Sequence, residues 1–266
     1  MVAPNLITGY DVAVLSVRSR VLAYVQYLWT NSPSLRDADV ERLVARIVPV
    51  VRSGQLQVAQ LTDAYIGQMS RAAGISWTAG VNRTLVDYRG VPSDVVYRRP
   101  AVTAYTQLAG GSTFAIAAKV GLQRLSSIVA TDIQQTRNRQ AQQSLGRSGF
   151  SFFRRQLSGS ENCALCSIAS TQRYTRGDLM PIHPGCDCAV VPLNSPNDPG
   201  QVIDADRLET IHAEVERFVG EADRGGRAPD YRKLIVAREH GELGPTLTWL
   251  DDSFTGPADL GRPAVM

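Results

Sequence analysis

Every cysteine of this 266-residue chain falls within one short stretch. It reads Cys163-Ala164-Leu165-Cys166, then, after sixteen residues, His183-Pro184-Gly185-Cys186-Asp187-Cys188. Two closely spaced pairs in an otherwise cysteine-free chain point to one shared task. A Cys-x-x-Cys step puts two thiolates on one side of an ion. Cys186 and Cys188 lie two apart, so an extended backbone points both the same way. The His183-Pro184-Gly185 turn can bring an imidazole to the same point. Zinc takes four tetrahedral ligands of these types, so five candidates compete for four places. Cys163 and Cys166 are the firmest; His183, Cys186 and Cys188 compete for the rest. The alternatives are four buried thiols or two disulfides.

Compartment bears on that choice. The N-terminus has no basic region followed by an apolar run, so no secretory leader is expected. No apolar run reaches the ~18 residues needed to span a bilayer, so no membrane partner is expected. A reducing cytosol favours metal over disulfide. A catalytic zinc needs an open position and an acid–base partner, and the deaminase pattern of His-x-Glu with Pro-Cys-x-x-Cys is missing around His183. The expected ion is therefore structural.

Upstream of the cysteines the pattern is helical. Residues 7–30 carry Val14, Val17, Val21, Leu22, Val25 and Leu28 at three- and four-residue steps. A second helix is expected from Asp37, kinked or split at Pro49 and weakened at Gly54. A turn at Pro92-Ser93-Asp94 leading to a short helix through Tyr97, and another helix begun by Pro100 and ending at Gly110-Gly111, follow. Ser112 opens a long helix to about Leu145. Its end, Thr136 to Gln143, is polar nearly all round, which predicts a solvent-bridging segment or a contact with another chain. Strands are expected at 150–157, 172–175 and 189–193. Past the Pro- and Gly-rich linker at 194–200, a charged helix is expected over 204–221 and a last one over Tyr231–Glu239. An extended or docked tail follows from Gly241.

The fold class expected is thus mainly α. It comprises a helical domain over 1–148, a small zinc-stabilised α+β module over 149–195, and an acidic tail over 196–266. A module of that size commonly needs a metal or another staple.

Charge is unevenly spread around the modest net value of +3. Residues 112–156 hold Lys119, Arg124, Arg137, Arg139, Arg147, Arg154 and Arg155 against Asp132 alone. Acids outnumber bases from 196 onward. Arg137, Arg139, Arg147, Arg154 and Arg155 are candidate contacts to DNA or to an acidic protein surface. Phe150, Phe152 and Phe153 beside Arg154 and Arg155 fit either a nucleic-acid platform or a core.

The cysteine segment resembles a known signature. Cys163-x-x-Cys166, followed by His183-Pro184-Gly185-Cys186-Asp187-Cys188 and the apolar Ala189-Val190-Val191-Pro192, is similar to that of the phage Mu protein F-like minor head proteins, the phage head morphogenesis family. Asp187 stands where that family commonly has arginine. The likeness covers roughly residues 100–193. It implies a minor capsid protein of a tailed phage, and the arginine-rich composition suits a high-GC host. Such proteins associate with the portal, are incorporated inside the head near packaged DNA, and meet scaffold or major capsid protein in the host cytoplasm during assembly.

Two other functions stay open. Genes of this kind are also labelled capsid maturation proteases, and a serine protease needs a histidine near a serine. His183 is better used as a ligand or turn residue, and His212 lies among charges. His240 is the remaining candidate, and no Gly-x-Ser-x-Gly elbow accompanies it. No catalytic residue is assigned on this reading. The other alternative is a zinc-containing DNA-binding module.

Overall fold

The computed structural model describes residues 4–84, 88–157, 166, 169–175, 188–194, 198, 200–209, 235–240 and 244–249. Four helices, α1 (Pro4–Thr30), α2 (Asp37–Ala72), α3 (Ser93–Ala109) and α4 (Phe114–Gly146), precede five strands. These are β1 (Phe152–Gln156), β2 (Arg173–Thr175), β3 (Ala189–Leu193), β4 (Ile235–His240) and β5 (Gly244–Trp249). The mainly helical class expected from periodicity is the class observed. None of the described helices is long and apolar enough to cross a membrane.

The chain divides into two compact units, and the division is not sequential. A helical unit holds Pro4–Tyr65 and Ala79–Gln140; a sheet unit takes Ile66–Thr78 and Ala141–Met266. The sequence pattern suggests a boundary at 148. The segment 66–78 instead joins the later residues because Trp77 bridges to Ser148 and Gly149 donates to the Ser76 carbonyl at 3.1 Å. Trp77 itself lies over Gly67, where any Cβ would meet the ring at 2.6 Å.

The helical unit is built on the apolar stripes read from the sequence. Val14, Val17, Val21, Val25 and Leu28 of α1 are buried with Leu43, Ile47, Val51 and Val58 of α2 and Leu125, Val129 and Ile133 of α4. Pro49 neither splits nor ends α2. Proline removes its own N–H and frees a carbonyl one turn back, at Ala45. Both residues are exposed, so that carbonyl is left open to solvent rather than buried. Gly54 is not a weak point. A Cβ there would lie 2.5 Å from Val21 Cγ2 and 3.2 Å from Ile133 Cδ1, so glycine lets three helices close on one another. Pro100 does not begin a new helix either; α3 runs through it, with the ring buried. Where α3 meets α4, a Cβ on Gly121 would lie 2.9 Å from the Pro100 carbonyl, so glycine there allows the close approach.

In the sheet unit β1 is central, antiparallel to both β2 and β3, in the order β2-β1-β3. Its register pairs Phe153 with Tyr174 and with Pro192. Pro192 lies on an edge strand, where its lack of a donor is tolerated. The linker after β3 returns along β2. Arg173 donates to the Gln201 carbonyl at 3.1 Å, Ile203 donates to that of Thr171 at 2.8 Å, and the Arg173 guanidinium pairs with Asp198. Asp204 then caps a helical segment at 205–209, accepting from the Arg207 amide at 3.0 Å. The rest of the helix expected over 204–221 lies outside the described residues.

The helix expected over Tyr231–Glu239 is corrected. Ile235–His240 is a strand, paired antiparallel with β5 so that His240 faces Gly244. Three apolar residues in a row, Leu234-Ile235-Val236, do not separate a helix from a strand by period. The β-branched pair and the Thr246-Leu247-Thr248 alternation opposite favour the hairpin.

Candidate functional site

Two of the five candidate ligands fall among the described residues. Cys166 and Cys188 are buried, 2% and 0% exposed. Cys188 immediately precedes β3, whose five residues are all buried. Across the sheet, Arg155 of β1 donates from Nη1 to Cys188 Sγ at 3.4 Å. Arg155 is itself 1% exposed, its guanidinium 6.0 Å from the Phe153 ring centre and 5.9 Å from that of Tyr174. The two rings stack with centroids 5.5 Å apart. Burial pushes the Tyr174 phenol up to about 12, against the pull of Arg155 and reinforced by Cys188.

A buried guanidinium donating to a thiol suits the anionic sulfur. That is the protonation state a metal requires of a cysteine ligand. The donor chemistry at Cys188 therefore fits zinc. Cys163, His183 and Cys186 lie outside the described residues, and among the described residues no three His, Cys, Asp or Glu side chains gather to hold an ion.

The five arginines expected to form a contact surface do not do so together. Arg137 of α4 is 2% exposed, ion-paired to Asp11 and donating from Nε to the Tyr10 hydroxyl at 3.0 Å. Burial lowers its pKa, but Tyr10 and Asp11 outweigh that and hold it above the ordinary arginine value. Arg155 is committed beside Cys188. Both are thus internal side chains, which corrects their assignment as surface contacts. Arg139 lies 4.8 Å over the Tyr88 ring. Arg147 donates to the Thr78 carbonyl at 3.3 Å, and Arg154 is half-buried on β1. Phe150 and Phe153 are core, 1% and 0% exposed.

The polar end of α4 is a buried layer rather than a solvated or exported one. Asp132 is its hub. Tyr88 donates to it at 2.9 Å, Tyr97 at 2.6 Å, and Arg89 through Nε at 2.8 Å and Nη2 at 2.5 Å. Burial raises Tyr88 and Tyr97 well above the ordinary phenol value, and the Asp132 charge adds to it. Further along, Gln55 donates to Thr136 at 3.0 Å, while Gln140 donates to the Gly80 carbonyl at 3.0 Å and accepts from the Asn82 amide at 3.2 Å. Tyr10 shares a hydrogen bond with Thr62 at 2.8 Å and stacks on Tyr65 at 4.2 Å. Buried polar groups are tolerable when paired in this way. One signal was usable beforehand, a helix polar all round. It could not show that the partners lie far away in the same chain.

His240 ends β4 at the hairpin. His212 lies outside the described residues. Comparisons of the chain with known protein families, with curated proteins and with solved structures found no match.

Proposed function

We propose that this chain is a structural minor head protein of a tailed phage, joining the portal during assembly and remaining inside the head. The observation that carries the reading is the signature Cys163-x-x-Cys166 with His183-Pro184-Gly185-Cys186-Asp187-Cys188, running directly into the buried strand β3. The mainly helical body before it supports the same reading. A zinc ion held by four of Cys163, Cys166, His183, Cys186 and Cys188 clasps the module around β1–β3. Its thiolates are ligands rather than nucleophiles, and Arg155 steadies the sulfur of Cys188. The ion supplies cross-linking strength to a sheet too small to persist alone. Scaffold or major capsid protein and packaged DNA are the further partners of such a role.

The test is co-expression with the portal, scaffold and capsid proteins of the same genome, followed by purification of the assemblies. Co-purification with the portal, about one zinc per chain and an uncleaved scaffold and capsid protein are expected. Cleavage that disappears in a His240→Ala variant would replace this reading with that of a maturation protease. A zinc-free protein purified under reducing, chelator-free conditions would remove the clasp.

A further inference from the structure

Helix α1 carries one exposed row of side chains that its packing does not use. Ser16, Arg20, Tyr24 and Tyr27 follow at four-, four- and three-residue steps, and all four are exposed. Residues so spaced lie above one another on a helix surface. Tyrosine has a large apolar body that is normally covered, and Tyr10, Tyr65 and Tyr97 of the same unit are buried. Tyr24 and Tyr27 are instead 45% and 58% exposed. Their rings lie nearly parallel, at 24° with centroids 6.2 Å apart, so they form one aromatic shelf.

The charge around that shelf has one sign. From Val12 to Arg36, and again from Arg42 to Thr62 of α2, the sequence holds no Asp or Glu. Helix α2 runs back along α1, with Tyr10 bonded to Thr62 and Val21 against Gly54. That register sets Tyr24 and Tyr27 level with the turns of α2 that hold Arg46 and Val50. Arg20 and Arg46 are both exposed, and among the described residues neither takes part in a hydrogen bond or an ion pair. The carboxylates that bracket the surface are engaged or distant. Asp11 pairs with Arg137, Asp39 with Arg42 and Ser34, and Glu41 with Arg98. Asp37 opens α2, about two and a half turns before Arg46.

We propose that this row of α1, with Arg46 level with it, binds single-stranded nucleic acid. Bases stack on the Tyr24 and Tyr27 rings, and the phosphates that join them run past Arg20 and Arg46. Unpaired cations on a surface without carboxylates select a polyanion. The paired rings select one whose flat faces are free to stack, which a closed duplex keeps to itself. An acidic peptide would use the arginines and leave the rings idle. The aromatic and basic residues at Phe150, Phe153 and Arg155 are taken up by the core, whereas those of α1 stand in the open. The proposal does not rest on the head-protein reading.

The test uses the full chain and a fluorescein-labelled oligothymidylate of about 16 nucleotides, read by anisotropy. A duplex of the same length and a glutamate-rich peptide serve as competitors. The single strand should bind, and its affinity should fall with added salt. Tyr24→Ala and Tyr27→Ala should each weaken binding by about 5- to 150-fold, while Tyr27→Phe, which keeps the ring, should bind as the native chain does. Arg20→Gln should reduce the slope of log affinity against log salt by about 0.7. Circular dichroism melts of each variant establish that these exposed sites leave the fold intact. No binding, or binding unchanged by both alanine variants, would overturn the proposal. So would a duplex that competes as well as the unlabelled single strand, which would leave the rings without a role. A glutamate-rich peptide that competes equally well would give the surface to an acidic protein instead.

Discussion

Tyr97 of α3 donates to Asp132 of α4 at 2.6 Å, and the same carboxylate takes Arg89 and Tyr88. One acidic side chain thereby ties α3 and the segment before it to α4 inside the helical unit.

Removing that hub should cost far more than removing one of its donors. Asp132→Ala leaves the Arg89 guanidinium buried beside two phenols, each side chain of the ion pair being 7% exposed. Loss of one partner of a buried pair costs about 3–5 kcal/mol. Tyr97→Phe deletes one hydrogen bond and should cost about 1 kcal/mol. Urea unfolding of both variants checks the ranking. Equal, small losses would mean that the hub is not holding α3.

Alkaline pH should act on the same cluster. The folded-state pKa values of Tyr88 and Tyr97 are raised well above the ordinary 10.0. The native chain therefore keeps protons that the unfolded chain releases. Stability from this source is fully present below about pH 10 and falls as pH rises beyond it. Stability measured across that range should decline with pH, and Tyr97→Phe should flatten the decline. Tyrosinate absorbance should show phenols that ionise only as the chain unfolds.

Two glycine substitutions should have opposite signs. Gly121→Ala drives a methyl to within 2.6 Å of the Trp29 ring and 2.9 Å of the Pro100 carbonyl. Because the second contact is backbone, relief requires helix movement, and about 1–3 kcal/mol should be lost. Gly9→Ala, at an exposed position of α1 with nothing within 4 Å, should gain about 0.5–1 kcal/mol. Thermal melts of the pair report both.

On the zinc reading, Arg155 tunes metal retention. Arg155→Met keeps much of the side chain's bulk and removes the donor to Cys188. Loss of such a partner commonly weakens metal binding by about 10–100-fold. Chelator competition on purified protein measures the change. An unaltered release would show that Arg155 serves packing alone.

The apolar stripes of α1, α2 and α4 were legible because burial of a helix face imposes a period on the sequence. Strand β3 was legible for the same kind of reason, a short apolar run following a turn. Pro49 and Pro100 misled because a proline's effect depends on whether its face meets water or a neighbouring helix, and one residue does not reveal that. Gly54 misled likewise, since its value lies in what approaches it. The polar end of α4 was visible as an oddity, but its meaning rests on Asp11, Asp63 and Gln55, which share no local pattern with it. Of the proposed metal site, the motif identified the donors, whereas the cation beside Cys188 came from strand pairing.

The pairing of Arg137 with Asp11 spans 126 positions. A ribosome adding ~5–20 residues per second needs roughly 6–25 s to travel that far. For all of that interval the newly made α1 carries its Asp11 carboxylate and Tyr10 hydroxyl without the guanidinium that donates to them. Its buried face cannot be sealed in the order in which it is synthesised. The helical unit is completed only once α4 has emerged, so a nascent chain stalled before Arg137 has α2 to pack against its first helix but lacks the α4 side that finishes its burial.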